Sequence, residues 1–184
     1  MQIIPIKYGK STLPESAVFL NSREATPCEI VFKIYLVKID CALVLIDAGC
    51  ETMPGFEMRN FIGAVAALKN INVEPEQITD VILTHSHHDH IECVKYFKNA
   101  LVHIQREEYE SARAYIPENM RLNIFMEEYM LYNAIKIKRI GGHTSGSCIV
   151  EIADGDKIFV FAGDECYTRE CLAVRESNAQ ALRR

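Results

Sequence analysis

The sequence has no apolar run long enough to span a membrane. Among its 184 residues, no stretch approaches the ~18–20 consecutive apolar residues that a spanning helix needs. Residues 1–7 also lack the basic region and the long apolar stretch of a signal peptide. We therefore expect no membrane partner for this chain.

A paired-cysteine pattern is also absent. The 7 cysteines are odd in number, widely scattered and include no Cys-x-x-Cys pair. Such a pattern argues against a disulfide framework and against a structural zinc clip. Reduced thiols are typical of the cytoplasm, so we expect a cytoplasmic protein.

An excess of basic residues is absent too, since the formal net charge is −5. No basic stripe is available to neutralise phosphates, and we do not expect nucleic acid as a partner. Hydrophobic residues make up 49% of the chain, which is enough for one domain with a real core. No linker or low-complexity tract divides the sequence, so we expect residues 1–184 to form a single domain.

The hydrophobic pattern predicts a mixture of strands and helices. Residues 29–40 and 42–46 are dense in β-branched and aromatic residues and predict a hairpin, while the short apolar run 80–83 suits a strand buried on both faces. Helices are predicted at residues 56–70, 91–98, 107–115 and, with an irregular start, 117–133, and strands at residues 101–104, 134–140, 147–153 and 157–161. This order suggests sheets sandwiched between helices.

The segment that follows the predicted strand at residues 80–83 carries the clearest chemical signal. His85-x-His87-x-Asp89-His90 places four candidate metal ligands within six residues. A short loop after a strand lets the first two histidines turn toward one point, while an aspartate is favoured where a helix begins. Imidazole and carboxylate ligands suit zinc, iron or manganese better than magnesium or calcium. A passive polar loop is the alternative, and alternating histidines with an acid fit it poorly; His88 is expected to point away.

Two later segments fit the same site. His143 follows Gly141 and Gly142, which let the backbone turn sharply, and Asp164 follows an apolar strand that ends in Ala162-Gly163. Alone, these residues would be an ordinary loop histidine and a turn aspartate. Beside the first cluster they predict a further imidazole ligand and a carboxylate that bridges two metals. Two metals ~3.5–4 Å apart can hold a hydroxide nucleophile near neutral pH.

These segments, in this order, resemble the metallo-β-lactamase superfamily. The matching motifs are His85-Ser86-His87-His88-Asp89-His90, Gly142-His143-Thr144, Gly163-Asp164 and the early turn Asp47-Ala48-Gly49. The resemblance covers about residues 29–167 and implies an α+β fold, a four-layer αββα sandwich with the site at the sheet edges. It also implies two metal ions per chain, expected to be zinc, with iron, manganese or cobalt as alternatives. By motif, one ion would be held by His85, His87 and His143 and the second by Asp89 and His90, with Asp164 as the bridge.

Within the superfamily, Asp164-x-x-Tyr167 and residues 102–110 look like the corresponding segments of N-acyl homoserine lactonases. That resemblance implies a metal-dependent hydrolase in which metal-bound hydroxide attacks the carbonyl of a small lactone. Tyr167 would then stabilise the developing oxyanion, and Asp89 would be the general acid. Two alternatives stay open: a thioester substrate, as in glyoxalase II-like hydrolases, and a plain packing role for Tyr167.

The chain departs from the family pattern in two places. Bulkier residues, Ile91-Glu92-Cys93, stand where the family has small residues and glycine, and would alter the approach of the helix or narrow the site. The family's last metal-binding histidine lies well beyond the bridging aspartate, whereas the 6 histidines here include none after His143 and the sequence ends 20 residues beyond Asp164 (184 − 164). Water or a partner chain would then fill that ligand position. We therefore expect a sandwich shortened at its C-terminus, with residues 175–184 as a surface helix or frayed tail. A third hypothesis follows, that of a degenerate metal-binding homologue with little activity, whose exposed sheet edge favours homo-oligomers.

Overall fold

Two β-sheets are formed by the part of the chain that the computed structural model describes, residues 1–19 and 22–168. The strands are β1 (Gln2–Pro14), β2 (Pro27–Ile39), β3 (Ala42–Ile46), β4 (Asp80–Ile82), β5 (Leu101–Gln105), β6 (Arg121–Phe125), β7 (Glu128–Leu131), β8 (Ile135–Arg139), β9 (Cys148–Asp154) and β10 (Lys157–Phe161). The α-helices are α1 (Glu15–Val18), α2 (Ala64–Lys69), α3 (His88–Ile91) and α4 (Arg106–Ala112), and 3₁₀ turns cover Pro75–Gln77, Glu92–Tyr96 and Gly163–Glu165.

The larger sheet is mixed and has the order β1-β2-β3-β4-β5-β6. Its first three strands are antiparallel, whereas β3, β4, β5 and β6 run parallel. The smaller sheet is antiparallel and has the order β10-β9-β8-β7. Because the carboxyl ends of parallel strands meet at one edge of a sheet, the segments that follow β3, β4 and β5 emerge side by side.

The two central strands are buried on both faces. Leu45 of β3 and Val81 of β4 pack into the core on the helical side of the larger sheet, and Val44 and Ile82 pack between the sheets. Strands in this position need apolar residues at consecutive positions, which is why they read as unbroken runs. The prediction for residues 80–83 is confirmed.

The helix predicted for residues 117–133 is wrong, because this segment forms β6 and β7. Leucine, methionine and glutamate favour a helix locally, but β6 is a parallel partner of β5, with Asn123 opposite His103. Tyr132 and Asn133 adopt positive φ angles of 52° and 53°, which turn the chain into β8. Tertiary pairing therefore overrides local propensity here.

Three predictions for residues 1–98 also need correction. The helix predicted at residues 56–70 begins only at Ala64, because Arg59 forms a bridge with Lys10 and Gly63 has a φ of 78°. The helix predicted at residues 91–98 is a single turn of α3 followed by a 3₁₀ turn. Strand β1 was not predicted; it contains Pro5, which an edge strand tolerates.

The observed layers agree with the predicted sandwich of two sheets. In the described ranges, α1, α2 and α4 contact strands of the larger sheet, and no helix has the length and apolar character to cross a bilayer. Strand β10, at the edge of the smaller sheet, exposes Ile158, Phe159 and Val160. Residues 175–184, for which a surface helix or frayed tail was predicted, lie outside the described residues.

Candidate metal centre

Asp47 connects the carboxyl ends of β3 and β4. Its Oδ1 accepts hydrogen bonds from the backbone N–H of Thr84 at 2.8 Å and from Thr84 Oγ1 at 2.9 Å. The left-handed φ of 59° at Asp47 turns the chain sharply after β3 and lets this carboxylate face the end of β4. Because Asp47 holds Thr84 in place, the position at which the loop with His85 and His87 begins is fixed.

The second oxygen of Asp47 orients His90. His90 Nδ1 lies 2.8 Å from Asp47 Oδ2, so Nε2 faces Asp164 Oδ1 at 3.2 Å and Asp89 Oδ2 at 3.7 Å. A carboxylate on one ring nitrogen fixes the tautomer that presents the other nitrogen as a ligand. Burial lowers the pKa of His90, but Asp164 and Asp47 outweigh burial and raise it well above its ordinary value.

Three further imidazoles converge with Asp164. One potential ligand atom from each of His85, His87, His143 and Asp164 lies within 4.8 Å of the others. His143 Nε2 is 2.8 Å from His87 Nδ1 and 3.5 Å from Asp164 Oδ2, and His85 Nε2 is 3.9 Å from the same oxygen. Burial first, and then the charge of His90, lower the pKa of His85 well below its ordinary value. The lowered pKa favours the neutral ring of His85, which is the form of imidazole that binds metals.

Unsatisfied ring nitrogens test whether this group suits a metal. Within the described residues, His85 Nε2 and His143 Nδ1 are buried without a hydrogen-bond partner. A buried polar atom left unpaired costs about 1–3 kcal/mol. His85 Nε2 belongs to the converging group, where a cation would supply the missing partner. Imidazole and carboxylate donors in this number suit zinc and related transition metals.

Asp164 lies between the two sets of side chains. Its Oδ2 faces His85 and His143, whereas its Oδ1 faces His90. Burial raises the pKa of Asp164, but the neighbouring histidines, His90 first, hold it well below its usual range. Tyr167 donates its hydroxyl to Asp164 Oδ2 at 3.2 Å. A carboxylate with one oxygen toward each set has the orientation of a bridging ligand.

Glycines allow the loop that carries His143 to approach a carboxylate. Glu165 Oε1 accepts hydrogen bonds from the backbone N–H groups of Gly142 at 2.9 Å and His143 at 3.0 Å. A Cβ atom on Gly142 would lie 1.9 Å from Glu165 Oε2, which no side chain could tolerate without displacement. Gly142 thus allows the Glu165 carboxylate to approach closely, whereas Gly141, with a φ of 66°, makes the turn.

A cavity of about 980 Å³ opens beside these residues. Its polar lining includes His87, His88, Asp89, His90, His143, Asp164 and Tyr167, together with Asp47, Thr84 and Lys33. Its apolar lining comes mainly from Leu13, Ile30, Val31, Phe32, Pro54, Phe56 and Phe161. A mostly apolar cavity with a few convergent polar groups is typical of small-molecule sites. Sequence patterns gave no sign of the apolar wall, because β1 and β2 meet the cluster only in the folded chain.

The structure brings the predicted site residues together beside this cavity. His85, His87, His143 and Asp164 converge, His90 faces Asp164, and Asp89 lies beside His90. His88 lies apart from the group, as expected, with its Nε2 2.9 Å from Thr52 Oγ1. Tyr8 was not among the predicted site residues. It lines the cavity, and its hydroxyl donates to the backbone oxygen of Asp89 at 2.8 Å.

The expectation that Ile91-Glu92-Cys93 narrows the site is wrong. Ile91 and Cys93 are fully buried in the core on the helical side of the larger sheet. The carboxylate of Glu92 accepts hydrogen bonds from the backbone N–H groups of Glu51 at 2.6 Å and Thr52 at 3.1 Å. None of the three side chains lines the cavity in the described part of the chain. Their bulk is accommodated by the core.

A family model and several known sequences match this chain. A family model for the metallo-β-lactamase superfamily matches residues 33–128. The chain is 28% identical over 138 residues to N-acyl homoserine lactonase AiiB of Agrobacterium fabrum, a match that covers 62% of this chain and 50% of that protein. It is 30% identical over 115 residues to an N-acyl homoserine lactonase of a Bacillus species, covering 58% of this chain and 46% of that protein. The chain thus spans about half the length of these relatives.

Solved structures show the same fold. A quorum-quenching N-acyl homoserine lactone hydrolase superposes with a TM-score of 0.83 at 22% identity, covering 94% of this chain and 77% of that chain. Another such hydrolase, with the product N-hexanoyl-L-homoserine bound at its catalytic metal centre, gives 0.81 at 20% identity, with coverage of 94% and 79%. Similarity at these identities shows a common fold and no more.

Proposed function

Because the chain belongs to the metallo-β-lactamase superfamily, we propose that it is a metal-dependent hydrolase that opens lactones of the N-acyl homoserine lactone type. The observation that carries the proposal is the convergence of three imidazoles and the Asp164 carboxylate beside one cavity. The similarity to N-acyl homoserine lactonases supports the substrate class. The apolar wall of the cavity supports a substrate with an acyl chain.

We assign two ions, preferably zinc, to the site. His85, His87 and His143 would hold one ion, Asp89 and His90 the second, and Asp164 both. The two faces of Asp164 support this division, since its oxygens point to different histidine sets. Iron, manganese and cobalt also suit these ligands. When bound, the ions would act as Lewis acids and lower the pKa of a water molecule toward neutrality.

The remaining steps are assigned to the side chains of this chain. Tyr167 would donate its hydroxyl to the lactone carbonyl oxygen as negative charge develops there, a role supported by its position 3.2 Å from Asp164. Asp89 would take up a proton from the attacking water and pass it to the departing alkoxide. The hydrogen bond from Tyr8 to the backbone oxygen of Asp89 supports that role, because it holds the backbone from which the Asp89 side chain extends. Asp47 would keep His90 in its ligand orientation.

The proposal is tested by substrate comparison on purified, zinc-loaded protein. Hydrolysis of an N-acyl homoserine lactone is measured beside hydrolysis of a glutathione thioester, with chelator-treated protein as the control. We expect lactone turnover that disappears with the chelator and returns with zinc. A faster thioester reaction would replace the lactone with a glyoxalase II-like substrate, and no turnover of either would support a degenerate metal-binding homologue.

A further inference from the structure

A buried carboxylate that is not among the proposed ligands joins the two loops that carry the histidines. Glu108 of α4 is only 3% exposed. Its Oε2 accepts hydrogen bonds from Ser86 N at 2.9 Å and Ser86 Oγ at 2.6 Å. Its Oε1 accepts from Thr144 Oγ1 at 2.6 Å and Gly146 N at 2.9 Å. Ser86 lies between His85 and His87, and Thr144 follows His143.

The partners of Glu108 are all uncharged donors in the described part of the chain. A buried carboxylate without a cationic partner depends on such hydrogen bonds for its stability. An ionised carboxylate only accepts hydrogen bonds, so both of its oxygens can serve all four donors. An amide of the same shape could not do so, because its NH₂ group donates and does not accept. Moving either loop would leave oxygens of Glu108 unpaired, so the carboxylate restrains both loops at once.

The first turn of α4, which carries Glu108, is held in place by Gln105. Gln105 caps α4 by accepting a hydrogen bond from the Glu107 backbone, and its Nε2 donates to the Met126 oxygen at 2.9 Å. In the loop after His143, a Cβ atom on Gly146 would lie 2.9 Å from Glu108 Oε1. Glycine at this position therefore allows the backbone N–H to reach the carboxylate. The sequence and the fold both accommodate this contact.

We propose that Glu108 is a positioning residue that holds the His85-Ser86-His87 loop and the loop after His143 at the spacing that the metal site requires. Preorganisation of this kind lowers the free energy needed to order ligands when an ion binds. The inference rests on the metal site of the proposed function and is independent of the substrate. Its effect is accordingly expected in metal affinity, whatever the protein hydrolyses.

The test exchanges the carboxylate for an amide of equal size. Glu108→Gln is compared with Asp80→Asn, a matched change in a buried carboxylate that accepts hydrogen bonds from Thr79, His103 and Tyr132. Affinity for Zn²⁺ and Co²⁺ is measured by chelator competition, and the absorption spectrum of bound Co²⁺ reports ligand geometry. We expect Glu108→Gln to weaken metal affinity by about 10- to 100-fold and to change the spectrum. Asp80→Asn should lower thermal stability and leave both metal readouts unchanged.

Thr144 provides a milder variant in case Glu108→Gln does not fold. Thr144→Val removes one donor to Glu108 while keeping the branched shape, and Thr144→Ser retains that donor. We expect the valine variant to bind Co²⁺ more weakly and the serine variant to recover the affinity. Wild-type affinity in Glu108→Gln, or in Thr144→Val where the first variant does not fold, would overturn the inference, as would an equal loss in Asp80→Asn. A wild type that binds neither ion would overturn the metal site as well, whereas one that binds ions but opens no lactone would overturn only the substrate proposal.

Discussion

Residues 1–19 and 22–168 contain two clusters in which histidine contacts aspartate, and these clusters differ in whether the histidine nitrogens have hydrogen-bond partners. In the first, His103 Nε2 lies 2.9 Å from Asp80 Oδ1 and His103 Nδ1 lies 3.0 Å from Asn123 Nδ2. Thr79 and Tyr132 each donate to Asp80 Oδ2 at 2.7 Å. Both ring nitrogens and both carboxylate oxygens thus have partners.

The second cluster, around Asp164, has the same residue types but an incomplete set of partners. Buried nitrogens of His85 and His143 have none within the described residues, and the ligand atoms converge beside a cavity. Buried polar groups in folded proteins are nearly always paired, so His85 Nε2, which has no partner in this part of the chain and faces Asp164 Oδ2, is suited to bind a cation. The unpaired nitrogen of His143 is Nδ1, whereas its Nε2 faces the other ligand atoms. The comparison separates a cluster that stabilises the fold from one that is suited to bind an ion.

Loss of a histidine should lower metal affinity in the cluster around Asp164 and the stability of the fold in the cluster around Asp80. This is the largest effect that we expect. His143→Ala should abolish lactone hydrolysis and weaken Zn²⁺ binding by more than the ~10- to 100-fold typical of residues outside the ligand set, while the protein stays folded. His103→Ala should leave Zn²⁺ affinity unchanged and destabilise the fold by about 1–3 kcal/mol for each group left unpaired. Chelator competition and urea denaturation measure both quantities. Full Zn²⁺ affinity in His143→Ala would break the distinction.

The two tyrosines that donate to these aspartates make a matched pair with a smaller expected effect. Tyr167→Phe should reduce kcat for the lactone by about 100-fold, as removal of one oxyanion donor does elsewhere, and change stability little. Tyr132→Phe should cost about 1 kcal/mol of stability and leave kcat unchanged. Steady-state kinetics and thermal unfolding of both variants provide the comparison. A packing role for Tyr167 would be indicated if its variant lost stability but kept kcat.

The smallest effect that we expect is on the pH dependence of stability, to which the cluster around Asp80 and His103 should contribute. Burial raises the pKa of Asp80, but hydrogen bonds from His103, Tyr132 and Thr79 outweigh it and lower the pKa below its ordinary value. Because the folded pKa is lowered, the contribution is present above the unfolded value of about 3.9 and is lost as pH falls through the folded pKa. Urea denaturation from about pH 5 downward should therefore show the stability of wild type converging on that of Asp80→Asn. A constant difference over this range would contradict the assignment.

Much of the candidate site could be predicted from the sequence because its residues lie in short segments that follow strands. The segment around His85 and the turns at His143 and Asp164 carried enough chemistry to indicate the superfamily, and this resemblance is confirmed. The sandwich fold is confirmed as well. Strands β3 and β4 were predictable because burial on both faces demands unbroken apolar runs.

Other features depend on contacts that local patterns do not encode. Strands β6 and β7 were predicted to be helical because their leucine, methionine and glutamate residues favour helix. The parallel partner of β6 is β5, which α4 separates from it in the chain, so no local pattern marks this pairing. Glu108 reaches Ser86 across 22 positions and Gly146 across 38, so no spacing rule marks it. A glutamate in the first turn of a helix is ordinary in sequence. Only the folded chain shows that its carboxylate joins two loops.

Anomalous X-ray diffraction from crystals of the zinc-loaded protein tests the metal site most directly. We predict one zinc peak among the ring nitrogens of His85, His87 and His143 and a second beside His90, with the Asp164 carboxylate between them and no peak at His103. An empty cavity in zinc-loaded crystals, with the His143 ring or the Asp164 carboxylate turned away from the 85–90 segment, would contradict the proposed function.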